Sequence, residues 1–194
     1  SGGQPTGGVY SGVGVTNGVF DPVLAGAGTH VITYAITDTN GCSNSAVSSI
    51  SVFQPIATLS AFSDVCIDAA PINLAGGMPV GGIYAGTGVT AGQFDAAVAG
   101  SGTFNITYTI VENGCTAIDT QSIVVNSLPN VGMAGFFDVC ESETVYPLNA
   151  GFPVGGVYTG NGVANANFDA SNAGTGFHVI TYTFTDTSGC VNSA

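Results

Sequence analysis

The sequence contains no lysine and no arginine in 194 residues, against 12 acidic residues and two histidines, so its formal charge is −12. Ordinary globular domains carry about a quarter of their residues as charges of both signs. Without cations there is no phosphate contact that releases counterions, no guanidinium fork for a guanine edge and no basic groove for single strands, so nucleic acid is excluded as a partner. A Walker loop lacks its lysine, a Schiff-base enzyme its amine and a polybasic membrane anchor its cations. Ion pairs to Lys or Arg cannot form, so apolar burial, backbone hydrogen bonds and covalent cross-links must hold the fold. Tryptophan is absent as well. No run approaches the ~18 continuous apolar residues of a membrane span, and Ser1-Gly2-Gly3-Gln4 has neither the charged nor the apolar region of a signal peptide.

What is present is 45% hydrophobic residues, 30 glycines and eight prolines, a composition for a folded chain with many turns. It is also repetitive, with a period of 74. Gly8-Val9-Tyr10 returns as Gly82-Ile83-Tyr84 and Gly156-Val157-Tyr158. Phe20-Asp21 returns as Phe94-Asp95 and Phe168-Asp169, and Ile32-Thr33-Tyr34 as Ile106-Thr107-Tyr108 and Ile180-Thr181-Tyr182. Gly41-Cys42 returns as Gly114-Cys115 and Gly189-Cys190 at steps of 73 and 75, so a one-residue length change sits in the turn before that cysteine.

A second cysteine series, Cys66 and Cys140, keeps the 74-residue step. Pairing each with the next cysteine of the first series predicts Cys66–Cys115 and Cys140–Cys190 and leaves Cys42 unpaired. Its periodic partner would precede the first residue, and the third repeat stops before the strand that appears as Val47–Val52 in the first. Three whole repeats of 74 would need 222 residues against the 194 present, so the chain reads as excised from a longer tandem array. The expected organisation is residues 1–53 as the C-terminal part of a first repeat without its early strands, 54–127 as a complete repeat, and 128–194 as a third repeat lacking its last strand.

Within a repeat, Thr29–Thr37 alternates, with Ile32, Tyr34 and Ile36 on one face and Val31, Thr33 and Ala35 on the other, which predicts a strand. Asp38-Thr39-Asn40-Gly41 supplies a turn, and the chain returns through Cys42 to the alternating Val47–Val52, completing a hairpin. Its equivalents are Thr103–Ile110 with Glu112-Asn113-Gly114, and Gly176–Thr185 with Asp186–Gly189. The remaining segments are short and punctuated by Gly, Pro, Asn or Asp, and none shows sustained helical periodicity. The predicted fold class is all-β, a sandwich of seven or so short strands per repeat. A cross-link closing a loop of about 50 residues contributes roughly 4 kcal/mol in the chain-entropy model. Repeating cysteine pairs point to an oxidising, extracellular compartment. Zinc is disfavoured, because Cys-x-x-Cys spacing is absent and two cysteines without a recurring histidine do not fill a tetrahedral shell.

The pattern Gly-Gly-Val-Tyr-Ser-Gly-Val-Gly-Val, Phe-Asp-Pro, Ala-Gly-Ala-Gly-Thr-His-Val-Ile-Thr-Tyr and Asp-Thr-Asn-Gly-Cys-Ser-Asn-Ser-Ala, within residues 7–46, resembles the tandem immunoglobulin-like repeats of very large Bacteroidetes cell-surface proteins. These include adhesins of the gliding-motility type exported by type IX secretion. The resemblance covers essentially the whole chain. It implies tandem immunoglobulin-like β-sandwich repeats in an extracellular stalk or filament with a spacing or adhesive role, and brings no catalytic residues.

Candidate sites weigh against chemistry. His30 and His178 are equivalent, but the middle repeat has Phe104 there, so the position reads as a partly buried strand site, and no triad partner accompanies either histidine. Asp21, Asp95 and Asp169 recur once per repeat; they are weak calcium candidates, more simply read as turn residues bonding their own backbone. Glycine runs such as Gly12-Val13-Gly14 precede no helix and are not phosphate loops. No enzyme and no cofactor is expected. The expected partners are neighbouring repeats of the same chain, with like filaments or surface glycans beyond them. The alternatives are a carbohydrate-binding or accessory module of a secreted enzyme, and a self-assembling pilus-like subunit. Strands of six to ten residues at ~3.3 Å each give roughly 30–40 Å of reach per repeat, and Val52-Phe53-Gln54-Pro55 and Asn126-Ser127-Leu128-Pro129 read as proline-stiffened linkers.

Overall fold

The computed structural model describes residues 2–142 and 145–194. The chain is all-β, with 46% strand and 6% helix in many small antiparallel sheets. Contacts divide it into two compact units: one holds the residues up to Thr58 with Met78–Gly82 and Thr109–Asp119, the other Leu59–Gly77, Ile83–Tyr108 and Thr120–Ala194.

The first repeat is built on the expected hairpin. Gly28–Thr37 and Ser43–Val52 pair antiparallel over ten positions, from Gly28↔Val52 to Thr37↔Ser43. The turn is closed by Asp38, whose Oδ1 accepts from the N–H groups of Asn40 and Cys42 at 2.8 Å each. Gly41 takes the left-handed φ of 82° that the turn requires. On the other side of Gly28–Thr37 lies Val9–Ser11, registered Tyr10↔Tyr34.

Residues 54–127 contain nine strands, most of two residues. Its main sheet runs in the order Ile83–Ala85, Gly102–Glu112, Cys115–Asn126, Val65–Cys66. The last neighbour is parallel, with Val65 opposite Val125 and Cys66 opposite Asn126. Alternation on Cys115–Asn126 sends Ile123 and Val125 inward, and they are buried with Ile106 and Phe94, all at 2% exposure or less. Phe and Tyr bury 150–250 Å2 each, roughly 4–6 kcal/mol of transfer free energy at ~25 cal/mol per Å2, so a few such side chains dominate a small core.

The third repeat pairs Val157–Gly160 with Ile180–Thr185, again in the Tyr158↔Tyr182 register. The expected strand from Gly176 is shorter and starts at Ile180. Its return strand Val191–Ser193 pairs with it from Thr185↔Val191 to Thr183↔Ser193, and Tyr182 and Ala194 exchange a further pair of backbone bonds.

Among the described residues three single-turn helices interrupt the β structure, at Pro22–Ala25, Ala96–Ala99 and Ala170–Ala173. Each follows the recurring Phe-Asp. They are too short to show a 3.6-residue periodicity, so their local signal is the capping aspartate and, in the first, Pro22 at its start.

Candidate functional site

The most regular feature of the repeats is a pair of tyrosines on neighbouring strands. Tyr10–Tyr34 and Tyr84–Tyr108 have ring centroids 4.8 Å apart, and Tyr158–Tyr182 4.6 Å. The strand-pair tyrosine is buried in each, at 8%, 1% and 1% exposure for Tyr34, Tyr108 and Tyr182. A buried phenol needs partners, and glycine loops provide them. The Tyr34 hydroxyl accepts from Gly8 N–H at 2.7 Å and donates to the Pro5 carbonyl. The Tyr182 hydroxyl accepts from Gly156 N–H at 2.6 Å and donates to the Pro153 carbonyl. The first tyrosine of each pair accepts from a second glycine: Gly3, Gly77 or Gly151. The backbone of that glycine lies flat on the buried ring, and a Cβ there would fall 2.5–2.6 Å from ring carbons. Tyr10, Tyr84 and Tyr158 are half-buried, with their rings tilted against those of their partners. The prolines after these glycines, Pro5, Pro79 and Pro153, all follow cis peptide bonds.

The aspartates do what turn residues do. Asp21 Oδ1 accepts from Val23 and Leu24 N–H, Asp95 Oδ1 from Ala97 and Val98, and Asp169 Oδ1 from Ser171 and Asn172, each capping its helical turn. Among the described residues no group of three or more His, Cys, Asp or Glu side chains converges. Chelation by EDTA is therefore expected to leave the thermal midpoint within about 1 °C of its untreated value; a midpoint that rises steadily with added calcium would overturn this.

Asp169 differs from its equivalents in one respect. The Ser171 hydroxyl donates to its Oδ1 at 2.7 Å. That bond first, and the backbone N–H groups of Asn172 and Ser171 after it, hold the carboxyl below its ordinary value. A carboxyl lowered on folding stabilises the fold above the unfolded pKa, and that support disappears as pH falls through the lowered value. Ser171→Ala is expected to move the Asp169 titration up towards the ordinary carboxylate range in a carbon-detected NMR titration. An unmoved midpoint would show that the hydroxyl bond plays no part.

The histidines are structural. Nε2 of His30 bonds the Gly26 carbonyl and Nε2 of His178 the Gly174 carbonyl, each at 2.8 Å. Their rings stand against Phe20 and Phe168, and Phe104 stands against Phe94 in the same place. A ring is what the position needs, so phenylalanine substitutes for histidine.

The cysteines depart from expectation. Cys66 is bonded to Cys190, with Cα atoms 5.6 Å apart and a sequence separation of 124, while Cys42, Cys115 and Cys140 are free thiols. The expected Cys66–Cys115 and Cys140–Cys190 pairs are therefore corrected, and only Cys42 has the state assigned to it. The reason is the parallel ladder. Cys66 stands opposite Asn126, the last residue of a 12-residue strand whose first residue is Cys115. At ~3.3 Å per residue the two ends are roughly 36 Å apart, and a disulfide needs Cα atoms within about 7 Å. Instead the turn of the third repeat comes to the start of the second. Asp186 Oδ1 accepts from Ser188 and Cys190 N–H at 2.9 Å, repeating the Asp38 turn, and Cys190 is fully buried. Two residues on, Asn192 Nδ2 donates to the Pro129 carbonyl at 2.9 Å. The linker Asn126-Ser127-Leu128-Pro129 is thus held at both ends, by the ladder beside Cys66 and by the amide of Asn192. Neither Asn192 nor the long-range disulfide was legible by counting cysteines within a repeat; the recurrence of Asn44 at the equivalent place was the available signal.

No protein-family model and no curated protein matches this chain. Among the described residues no helix is long and apolar enough to cross a membrane.

Proposed function

We propose that this chain is a segment of a long extracellular repeat filament at a bacterial cell surface, made of immunoglobulin-like repeats and serving a structural and adhesive role. The observation that carries the reading is the Cys66–Cys190 bond, which crosses from one sequence repeat to the next. A cross-link within a repeat stiffens that repeat alone; one between repeats passes tension along the array and shields the linker. In an array the same step would pair Cys140 with the turn cysteine of a following repeat, and Cys42 and Cys115 with early cysteines of preceding ones. The resemblance of the repeated pattern to Bacteroidetes surface adhesins supports the same reading. So does the absence of lysine and arginine, which removes every trypsin-type cleavage site from a fibre that would otherwise carry one or more per link. The charge of −12 makes neighbouring fibres repel at low ionic strength and approach at high salt or low pH.

Single-molecule stretching tests the mechanical role. With the disulfide intact, the 124-residue loop between Cys66 and Cys190 is shielded from extension. Reduction is expected to add about 450 Å of contour length, at ~3.6 Å per residue. Equal contour lengths with and without reductant would remove the load-bearing role.

A further inference from the structure

Asp21 is followed by Pro22, whereas the equivalent Asp95 and Asp169 are followed by Ala96 and Ala170. The three places are otherwise built alike. Val23 N–H donates to Asp21 Oδ1 at 2.8 Å, Ala97 N–H to Asp95 Oδ1 at 2.9 Å and Ser171 N–H to Asp169 Oδ1 at 3.0 Å. A bond from the N–H two residues on to a side-chain oxygen closes a ring that contains the intervening peptide bond. In each repeat the carboxyl is therefore folded over its own backbone carbonyl. The oxygen of that carbonyl is held as well, accepting from Ala25, Ala99 or Ala173 N–H at 3.0 Å. An N–H aimed at a carbonyl oxygen stabilises the negative charge that gathers there when the carbon is attacked. A carboxyl already beside that carbon needs no diffusional encounter.

What the first repeat alone adds is the leaving group. The nitrogen of Pro22 carries no N–H; as a tertiary amide nitrogen it is more readily protonated and expelled than the secondary amide nitrogens of Ala96 and Ala170. Pro22 is also exposed, so water reaches the bond. We propose that Asp21–Pro22 is a self-cleavage site, poised by the fold and opened by acid. One oxygen of the protonated Asp21 carboxyl attacks the Asp21 carbonyl carbon, and the proton passes to the Pro22 nitrogen. The C–N bond breaks, leaving a cyclic anhydride on Asp21 and a secondary amine on Pro22. One water then opens the anhydride to the side-chain and C-terminal carboxylic acids of Asp21. Val15–Thr16, Val19–Phe20 and Pro22–Ala25 around the site carry no other titratable side chain. The strand packed against them brings His30, whose ring stands against Phe20 and whose Nε2 bonds the Gly26 carbonyl. Acid breaks no ion pair to lysine or arginine, because neither residue is present, and it removes the mutual repulsion of the 12 acidic side chains, so the fold persists where the bond is labile. Val9–Ser11 stays registered on Gly28–Thr37 after the cut, and the two products part only on denaturation.

The test follows the intact mass of the full chain, denatured after incubation at about pH 3, below the ordinary carboxylate range, or at neutral pH. The expected result in acid is one pair of fragments, residues 1–21 and 22–194. Cleavage is expected to be at least tenfold slower at neutral pH. It is expected to be slowed as much by Pro22→Ala, which installs the residue the other two repeats carry. In guanidinium chloride at the acid pH, where the cap and the Ala25 bond are lost, the rate is expected to fall at least threefold. No cleavage, cuts spread over the other aspartates, equal rates for the native and Pro22→Ala chains, or a rate in denaturant that matches or exceeds that without it would overturn the proposal.

Discussion

Replacing Cys66 by alanine is expected to cost about 5 kcal/mol of stability, the chain-entropy value for opening a loop of 124 residues. For a chain of this size that corresponds to a fall of about 10–20 °C in thermal midpoint. Reduction of the native chain should produce a fall of the same size, and reductant should leave the variant unchanged. The loss should be large because little else resists separation of the two ends: ion pairs to lysine or arginine are impossible, and the interior is a small set of aromatic and aliphatic side chains. Cys140→Ala and Cys115→Ala are expected to leave the midpoint within a degree or two, since both thiols are free. A Cys140→Ala chain as unstable as the Cys66→Ala chain would contradict the pairing.

The second large effect belongs to a glycine. Gly77→Ala places a methyl group 2.5–2.6 Å from Tyr108 ring carbons, closer than real Cβ contacts allow. Tyr108 is 1% exposed and held against Tyr84, so the ring has nowhere to go. Overpacking of this kind is expected to cost about 3 kcal/mol in chemical denaturation, with the denaturant slope unchanged. Gly92→Ala is the comparison. It has φ of +78° and open space around the added carbon, so it suffers only left-handed strain, about 1 kcal/mol. Equal costs at the two positions would show that backbone conformation, rather than the face of Tyr108, keeps glycine at position 77.

Much of this fold is legible in the sequence. The period of 74, the alternation through Ile32, Tyr34 and Ile36, and the Asn-Gly turn each report a local requirement: a buried face, a strand, a positive φ. The hairpin of the first repeat follows from them almost residue for residue. The histidine position was legible for the same reason, because a site that accepts phenylalanine reports packing rather than proton transfer. The disulfide was not. Pairing nearest cysteines assumes that a repeat closes on itself, whereas the two-residue strand Val65–Cys66 lies parallel to the far end of its own hairpin and faces the turn of the next repeat. A strand of two residues leaves almost no periodic signal, and its partner is set by long-range packing. The tyrosine clasps were half visible. Gly3, Gly77 and Gly151 each stand two residues before a proline at the common period, which marks a turn. Only the packed ring shows why no other residue fits. Asp21, Asp95 and Asp169 bond their own backbone two and three residues on, whereas the helical turn each one caps is a four-residue element with no periodic signal.

The central claim is that successive repeats are tied to one another rather than each to itself, and peptide mapping of the oxidised, unreduced chain tests it most directly. Trypsin has nothing to cut, but chymotryptic cleavage after Phe62, Leu74, Tyr108, Phe137, Leu148 and Phe184 puts Cys66, Cys115, Cys140 and Cys190 in separate peptides. The expected result is one cross-linked species joining the peptides of Cys66 and Cys190, with Cys115 and Cys140 recovered as alkylated thiols. Recovery of Cys66 with Cys115 and of Cys140 with Cys190 would contradict it.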